Sequence, residues 1–173
     1  PVPAAPPISP AAVNRLIGQV RDSEASVLLL SAAEHSALAR REISDIRSLR
    51  VLSSEEIAQS DASADEWTPP STQPGDPAFL QYTSGSTAQP RGVVVTHSNV
   101  LANEILIQRA LRHDESSVFG SWLPLFHDMG LIGGVLQPVF AGIPSYLMSP
   151  GLFLARPARW LEAIGRYGIT TSG

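Results

Sequence analysis

Tyr82-Thr83-Ser84-Gly85-Ser86-Thr87-Ala88-Gln89-Pro90-Arg91-Gly92 lies between two apolar runs, 78–82 and 93–96. Good β-formers on either side of small, turn-forming residues read as strand, loop, strand. Inside the loop, four hydroxyl residues share five consecutive positions with Gly85. Glycine lets the backbone approach a bulky anion, and turn amides and hydroxyls donate to phosphate oxygens. Arg91 adds a permanent, forked cation that can hold two oxygens at once. Hydrogen bonds to a charged group contribute about 1.5–3 kcal/mol each, so three or four suffice for a triphosphate tail. The loop is not a Walker A motif: Gly85 and Gly92 are seven apart, no Lys-Ser or Lys-Thr follows, and a strand comes next. On composition alone, a solvated Ser/Thr hairpin loop is the plain alternative.

Working outward, Ser9-Pro10 supplies an N-cap and a first-turn proline, and Val13, Leu16, Ile17 and Val20 follow at helical spacing. A strand is expected over 27–30, a helix over 32–41 and a strand over 49–52. Asp61, Asp65, Glu66, Pro69-Pro70 and Pro74-Gly75 mark 53–75 as a surface connection with little regular structure. Beyond the loop, a helix is expected over 98–111, a strand over 118–123, an apolar, glycine-rich helix over 127–139 and a strand over 145–148. Pro157 then opens a helix with Trp160, Leu161, Ile164 and Tyr167 on one face. This alternation predicts an α/β fold of parallel strands flanked by helices. Charge divides the chain into 1–75, with six arginines and ten acids, and 76–173, with six of each.

The 173 residues, 43% hydrophobic and 16% charged, can bury a core and fit one domain or a piece of a larger one. A net charge of −4 argues against a general nucleic-acid binder. No apolar run approaches a membrane span. Cysteine is absent, which removes disulfides and thiolate chemistry and is compatible with a reducing cytoplasm, the expected location. All twelve basic residues are arginine, so no lysine nucleophile, Schiff base or P-loop lysine can come from this chain. A start at Pro1 without leader character and an end in the small-residue turn Thr170-Thr171-Ser172-Gly173 read as an internal segment of a longer protein.

His127-Asp128 could supply metal ligands or an acid/base pair. One His and one Asp are too few for a metal site, and sequence neighbours usually point apart. Asp128 at a helix N-terminus would equally serve as a cap or dipole partner. Gly130, Gly133 and Gly134 would let a helix pack closely, beside a ligand tunnel or simply within a core. His97 reads as a helix-start residue, His35 and His113 as solvated, and Trp122 and Trp160 as core. Gly-x-Ser-x-Gly is absent, and no Ser-His-Asp triad is arguable.

The run Thr83-Ser84-Gly85-Ser86-Thr87, then Pro90-Arg91-Gly92, an apolar strand and Thr96-His97-Ser98-Asn99, resembles the phosphate-binding signature of adenylate-forming enzymes. That superfamily holds acyl-CoA synthetases, peptide-synthetase adenylation domains and luciferases. Ser121-Trp122-Leu123-Pro124-Leu125-Phe126-His127-Asp128-Met129-Gly130-Leu131-Ile132-Gly133-Gly134 looks like the fatty acyl-AMP ligase version of the acyl-site motif. Phe153, Arg156-Pro157-Ala158-Arg159-Trp160-Leu161 and Thr170-Thr171-Ser172-Gly173 are similar to the same subgroup. The specific motifs run from Phe79 onward, and the first 75 residues match loosely.

The resemblance implies part of the large N-terminal domain of such a ligase. The parent reaction would join a fatty acid to ATP, with Mg²⁺, giving acyl-adenylate and pyrophosphate; an acyl carrier protein would then accept the acyl group. Thr83, Ser84, Gly85, Ser86, Thr87 and Arg91 would bind the ATP phosphates, and His127, Asp128, Met129 and Gly130 would form the acyl-substrate site. No metal ligand and no catalytic residue is implied within the chain, because the family's lysine lies outside it; the 173 residues alone are expected to be inactive. An acyl-CoA synthetase, an amino-acid adenylation domain and a non-catalytic, adenylation-like interaction module are the alternatives. Two positions depart from the family pattern: Ala88 stands for glycine and Arg91 for lysine. If position 88 requires positive φ, alanine there is strained by roughly 1 kcal/mol or more.

Overall fold

Ser9 accepts the Ala12 amide through its hydroxyl at 3.2 Å, and Pro10 fills the first turn, so α1 runs Pro10–Ser23 as expected. The computed structural model describes residues 1–40, 49–60, 65, 67–82 and 91–173. These form two compact units, Pro1–Gln73 with Phe79–Val94 and Pro74–Ala78 with Val95–Gly173.

In the first unit, β1 (Val27–Leu30) pairs in parallel with β2 (Arg50–Ser53), in the register Val27 to Arg50 through Leu30 to Ser53. Between them lies α2 (Ala32–Ala39), started by a capping box in which Ser31 and Glu34 satisfy each other's amides. Val13 and Leu16 of α1 meet Leu30 and Leu38 in the core, with Ile17, Val20, Leu28 and Val51 packed around them. The spacing of the apolar face was therefore a correct guide.

The expectation of little regular structure over 53–75 fails at its start. A short helix, α3 (Ser54–Ala58), follows β2 directly. Its start has a local cause, a second capping box between Ser53 and Glu56, and a distant support, the Ala32 amide donating to Glu55 at 2.8 Å. β3 (Pro77–Tyr82) and β4 (Gly92–Thr96) hydrogen-bond to each other as a two-stranded sheet.

In the second unit, Thr96 and Asn99 form a capping box that opens α4 (His97–Leu111). The sheet has the order β6–β5–β7, all parallel, with β5 (Phe119–Ser121) buried in the centre between β6 (Ser145–Leu147) and β7 (Thr171–Ser172). The 170–173 segment is thus a strand edge as well as a small-residue stretch: the Thr170 amide donates to the Val118 carbonyl and the Val118 amide to the Thr170 hydroxyl, both at 2.9 Å.

The glycine-rich helix expected over 127–139 is two helices of different pitch. A π-helix, Met129–Leu136, passes into α5 (Gln137–Ala141), and the Gln137 amide reaches back five residues to the Ile132 carbonyl. α6 (Pro150–Ala155), absent from the sequence expectation, starts at a Ser149 cap, and α7 (Ala158–Tyr167) follows Pro157. Trp122 stacks on Phe153 at 3.9 Å between centroids, which agrees with a packing role.

Candidate functional site

Thr83, Ser84, Gly85, Ser86, Thr87 and Ala88 lie outside the described residues; their flanks do not. Tyr82 closes β3, and its hydroxyl donates to Asp22 Oδ2 at 2.5 Å. The Gly92 amide, which opens β4, points at the same oxygen from 3.4 Å. A Cβ at Gly92 would stand 2.9 Å from the Tyr82 ring, so a larger residue there would require the ring to shift. Burial and the Asp22 carboxylate push the Tyr82 phenol up to about 12, so it remains a donor across the neutral range. Arg91 is exposed at the C-terminal end of the hydroxyl-rich segment.

Sequence reasoning missed Asp22. One signal was available: an acid in the last turn of a helix opposes the macrodipole and so calls for another partner.

The second group follows the C-terminal end of β5. Ser121 is buried and accepts the Leu123 amide, and the chain then turns so that the His127 amide reaches the Pro124 carbonyl at 3.0 Å. Asp128 caps the π-helix, accepting the Met129 amide at 2.7 Å, and also meets His127 Nδ1 at 2.8 Å. The expectation that these neighbours point apart is wrong. The tight turn before a helix N-terminus lets one carboxylate bind both the following amide and the preceding ring. The His127 hydrogen bond, followed by the Met129 amide, holds the Asp128 carboxyl below its usual range. With Nδ1 engaged, Nε2 is the ring nitrogen turned away from Asp128. His127, Asp128 and Met129 are exposed, whereas Gly130 is buried. A Cβ at Gly130 would fall 2.2 Å from the Pro124 carbonyl oxygen, and one at Gly134 would fall 3.2 Å from Ser121 Cβ; Gly133 faces open space. Close packing thus explains two of the three glycines.

Beneath the π-helix lies a buried polar chain that the sequence did not suggest. His113, expected to be solvated, is only 6% exposed. The reason is the end of α4: Arg112 takes a left-handed φ of 55°, the His113 amide returns to the Gln108 carbonyl, and the ring swings inward. Its Nε2 lies 3.1 Å from Thr171 Oγ1 and its Nδ1 3.2 Å from the Gln137 amide. Complementarity sets that amide: its NH₂ donates to Glu104 Oε2 at 2.5 Å and to the Glu104 carbonyl at 3.0 Å, and its oxygen accepts from His113. Gln137 and Glu104 are almost fully buried, and burial pushes the Glu104 carboxyl up to about 7. Burial also lowers His113, favouring the neutral ring.

A parallel α/β sheet with a polar turn at the C-terminal end of its central strand has the geometry of a ligand-binding enzyme domain. The sequence matches the family described as AMP-binding enzyme over residues 2–172, and the chain belongs to that family. It is 37% identical over 175 residues to the medium-chain-fatty-acid acyl-carrier-protein ligase JamA of Moorena producens, across 97% of this chain and 29% of that protein. The corresponding ligase TtuA of Teredinibacter turnerae is 58% identical over 104 residues, 60% of this chain and 16% of that protein. Among solved structures, the fatty acid AMP ligase from Legionella pneumophila superposes with a TM-score of 0.87 at 34% identity, over 98% of this chain and 29% of that one. A fatty acyl-adenylate ligase from L. pneumophila in complex with acyl adenylate and pyrophosphate gives 0.82 at 35% identity, over 93% of this chain and 27% of that one. The chain thus spans less than a third of the length of these relatives. Its fold is the one expected, parallel strands flanked by helices as in the N-terminal domain of adenylate-forming enzymes.

Proposed function

We propose that this chain carries the phosphate-binding and acyl-site portion of an ATP-dependent fatty acid–AMP ligase. The observation that carries the reading is the His127–Asp128–Met129–Gly130 turn after β5, because ligands of parallel α/β sheets gather outside the carboxyl ends of the strands. Likeness to a ligase bound to acyl adenylate and pyrophosphate supports it.

In this reading, residues 76–173 hold both site segments, and 1–75 are the N-terminal part with its βα units and acidic linker. A carboxylate oxygen of the fatty acid attacks the α-phosphorus of ATP. The new P–O bond forms as the bond to pyrophosphate breaks, and acyl-adenylate remains. A carrier-protein thiol then displaces AMP to give the thioester. The chain's own contribution is positioning and charge stabilisation. Thr83, Ser84, Gly85, Ser86 and Thr87 donate to phosphate oxygens while Arg91 clamps two of them. Asp128 fixes the His127 ring beside the acyl carboxylate, and Met129 and Gly130 shape the adjoining wall.

Among the described residues no three His, Cys, Asp or Glu side chains converge, so Mg²⁺ would ride on the triphosphate, where it would offset phosphate charge. The family lysine would come from outside these residues. No described helix is long and apolar enough to cross a membrane, and a cytoplasmic location suits a reaction that consumes ATP.

The test is pyrophosphate exchange by the full-length protein. Exchange should require a fatty acid, and the acyl group should pass to holo acyl carrier protein in preference to coenzyme A. Exchange driven by an amino acid, or none with any fatty acid in a folded protein, would overturn the reading.

A further inference from the structure

The four side chains that meet beneath the π-helix are bonded in one direction throughout. With the Gln137 side-chain oxygen accepting His113 Nδ1–H at 3.2 Å, the opposite ring nitrogen is left as an acceptor, and the Thr171 hydroxyl donates to it at 3.1 Å. The NH₂ of the same amide donates to the Glu104 carboxyl and to the Glu104 carbonyl. The network therefore joins α4, the start of α5 and β7. We propose that Gln137 is a positioning residue for the fatty acid: it fastens the C-terminal end of the π-helix to α4 and, through His113, to β7, and so holds the His127–Asp128 turn, at the other end of that helix, in place at the carboxyl edge of the sheet. The inference rests on the acyl-site reading above.

Three features argue for it. Gln137 is completely buried, and an amide in a core is less favourable than an apolar side chain of the same volume unless its bonds are made. What it supplies is direction, not burial. Its place in the sequence is the second feature. Gln137 is where the π-helix passes into α5, and its own amide makes the five-residue bond to the Ile132 carbonyl. Turns of π pitch are rare and recur at functional sites, and a side chain anchored here fixes the helix where its pitch changes. Third, both arms of the network lead to the same edge of the sheet. The π-helix starts at Asp128, whose carboxylate holds His127, and Gly130 seats it on the Pro124 carbonyl. Thr171 pairs with Phe119 across β7 and β5, and the Gly173 amide donates to the Gly120 carbonyl, so the carboxyl ends of the two strands lie side by side. Ligands of parallel sheets gather at that edge. Gln137 need not touch the ligand. It acts through the helix on one side and through His113 on the other.

The experiment compares Gln137→Met, Glu104→Met/Gln137→Met and His127→Ala with the parent, all in the full-length protein. It measures pyrophosphate exchange at varied fatty acid, calorimetry with ATP alone, and nitrogen-15 NMR of the histidine rings, the His113 signal being assigned with His113→Phe. Methionine keeps the length and burial of glutamine without its bonds. Gln137→Met should lower kcat/KM for fatty acid roughly 10- to 100-fold, as a displaced turn would, and leave the Kd for ATP within about twofold. The His113 ring should carry its proton on Nδ1 in the parent and lose that preference in Gln137→Met. The double variant leaves no Glu104 carboxyl without its donor, so it keeps the test open even if the single variant folds poorly, and it should show the same loss. Unchanged kcat/KM for fatty acid in both variants, with His127→Ala still lowering it, would overturn the positioning role and leave the acyl-site reading standing. A matching loss of ATP affinity would also overturn it, as general damage, and so would a parent ring protonated on Nε2. If His127→Ala changes nothing, the acyl-site reading falls, and the role of Gln137 falls with it.

Discussion

Arg91 is exposed and ends the hydroxyl-rich segment just before β4, where its guanidinium is available to a multivalent anion. If it clamps the triphosphate, Arg91→Ala in the full-length protein should weaken ATP binding by about 1.5–3 kcal/mol, or roughly 10- to 150-fold. Calorimetry with ATP checks this, and fatty-acid binding without nucleotide should change little. Legibility at this scale was uneven. Ser9, Pro10 and the apolar face of α1 act on neighbours within two turns, so spacing alone found them. Asp22 and His113 gain their roles from partners tens of residues away, which no local pattern carries. The His127–Asp128 pair was visible as a pair, but its mutual hydrogen bond depends on the turn after Pro124.

Among the elements, the π-helix has the clearest consequence. Its glycines are not equivalent: Gly130 presses on a main-chain carbonyl, whereas Gly133 faces open space. Gly130→Ala should therefore destabilise the protein by about 1–3 kcal/mol, because a backbone clash must be relieved by displacement. Gly133→Ala should be neutral or stabilising by up to about 1 kcal/mol, since alanine is the better helix former and meets nothing. Urea denaturation of the two variants measures both, and equal effects would contradict the packing described. The sequence showed an apolar helix here but not its pitch. Bonds to the fourth and to the fifth residue ahead bury much the same apolar residues, so periodicity does not separate them. Strands β1, β3 and β4 were found within a residue or so from their β-branched and aromatic runs. α3 was missed because proline and acid content nearby outweighed a Ser-x-x-Glu cap that was plainly readable.

Across the molecule, parallel pairing followed from the strand–helix alternation, while the buried polar chain did not. That chain makes stability depend on pH through two opposed groups. Glu104, raised by burial to about 7, contributes stability that is full below its unfolded value of 4.5 and is lost as pH rises through about 7. His113, lowered by burial from 6.5, contributes stability that is full above 6.5 and is lost as pH falls through its folded value. Glu104→Gln removes the first and leaves the second. The stability of the parent relative to this variant should fall between pH 5 and pH 7.5 by on the order of 2 kcal/mol. Denaturation midpoints at the two pH values provide the measurement, and a constant difference would show that Glu104 does not titrate in this window.

The five-residue reach of the Gln137 amide also fixes how residues must be counted through this segment. Take one residue out of 129–136 and the backbone could relax into an ordinary α-helix, with a more regular bonding ladder. Later side chains would keep much the same phase about the axis, because the wider turn is what takes up the additional residue. Gln137 would still face Glu104 and His113, and the meeting of His113 with Thr171 involves neither helix. The extra residue is therefore absorbed where it stands. It costs the helix some regularity without putting the buried polar contacts out of step, so a one-residue deletion within this segment should be tolerated far better than one in an ordinary helix.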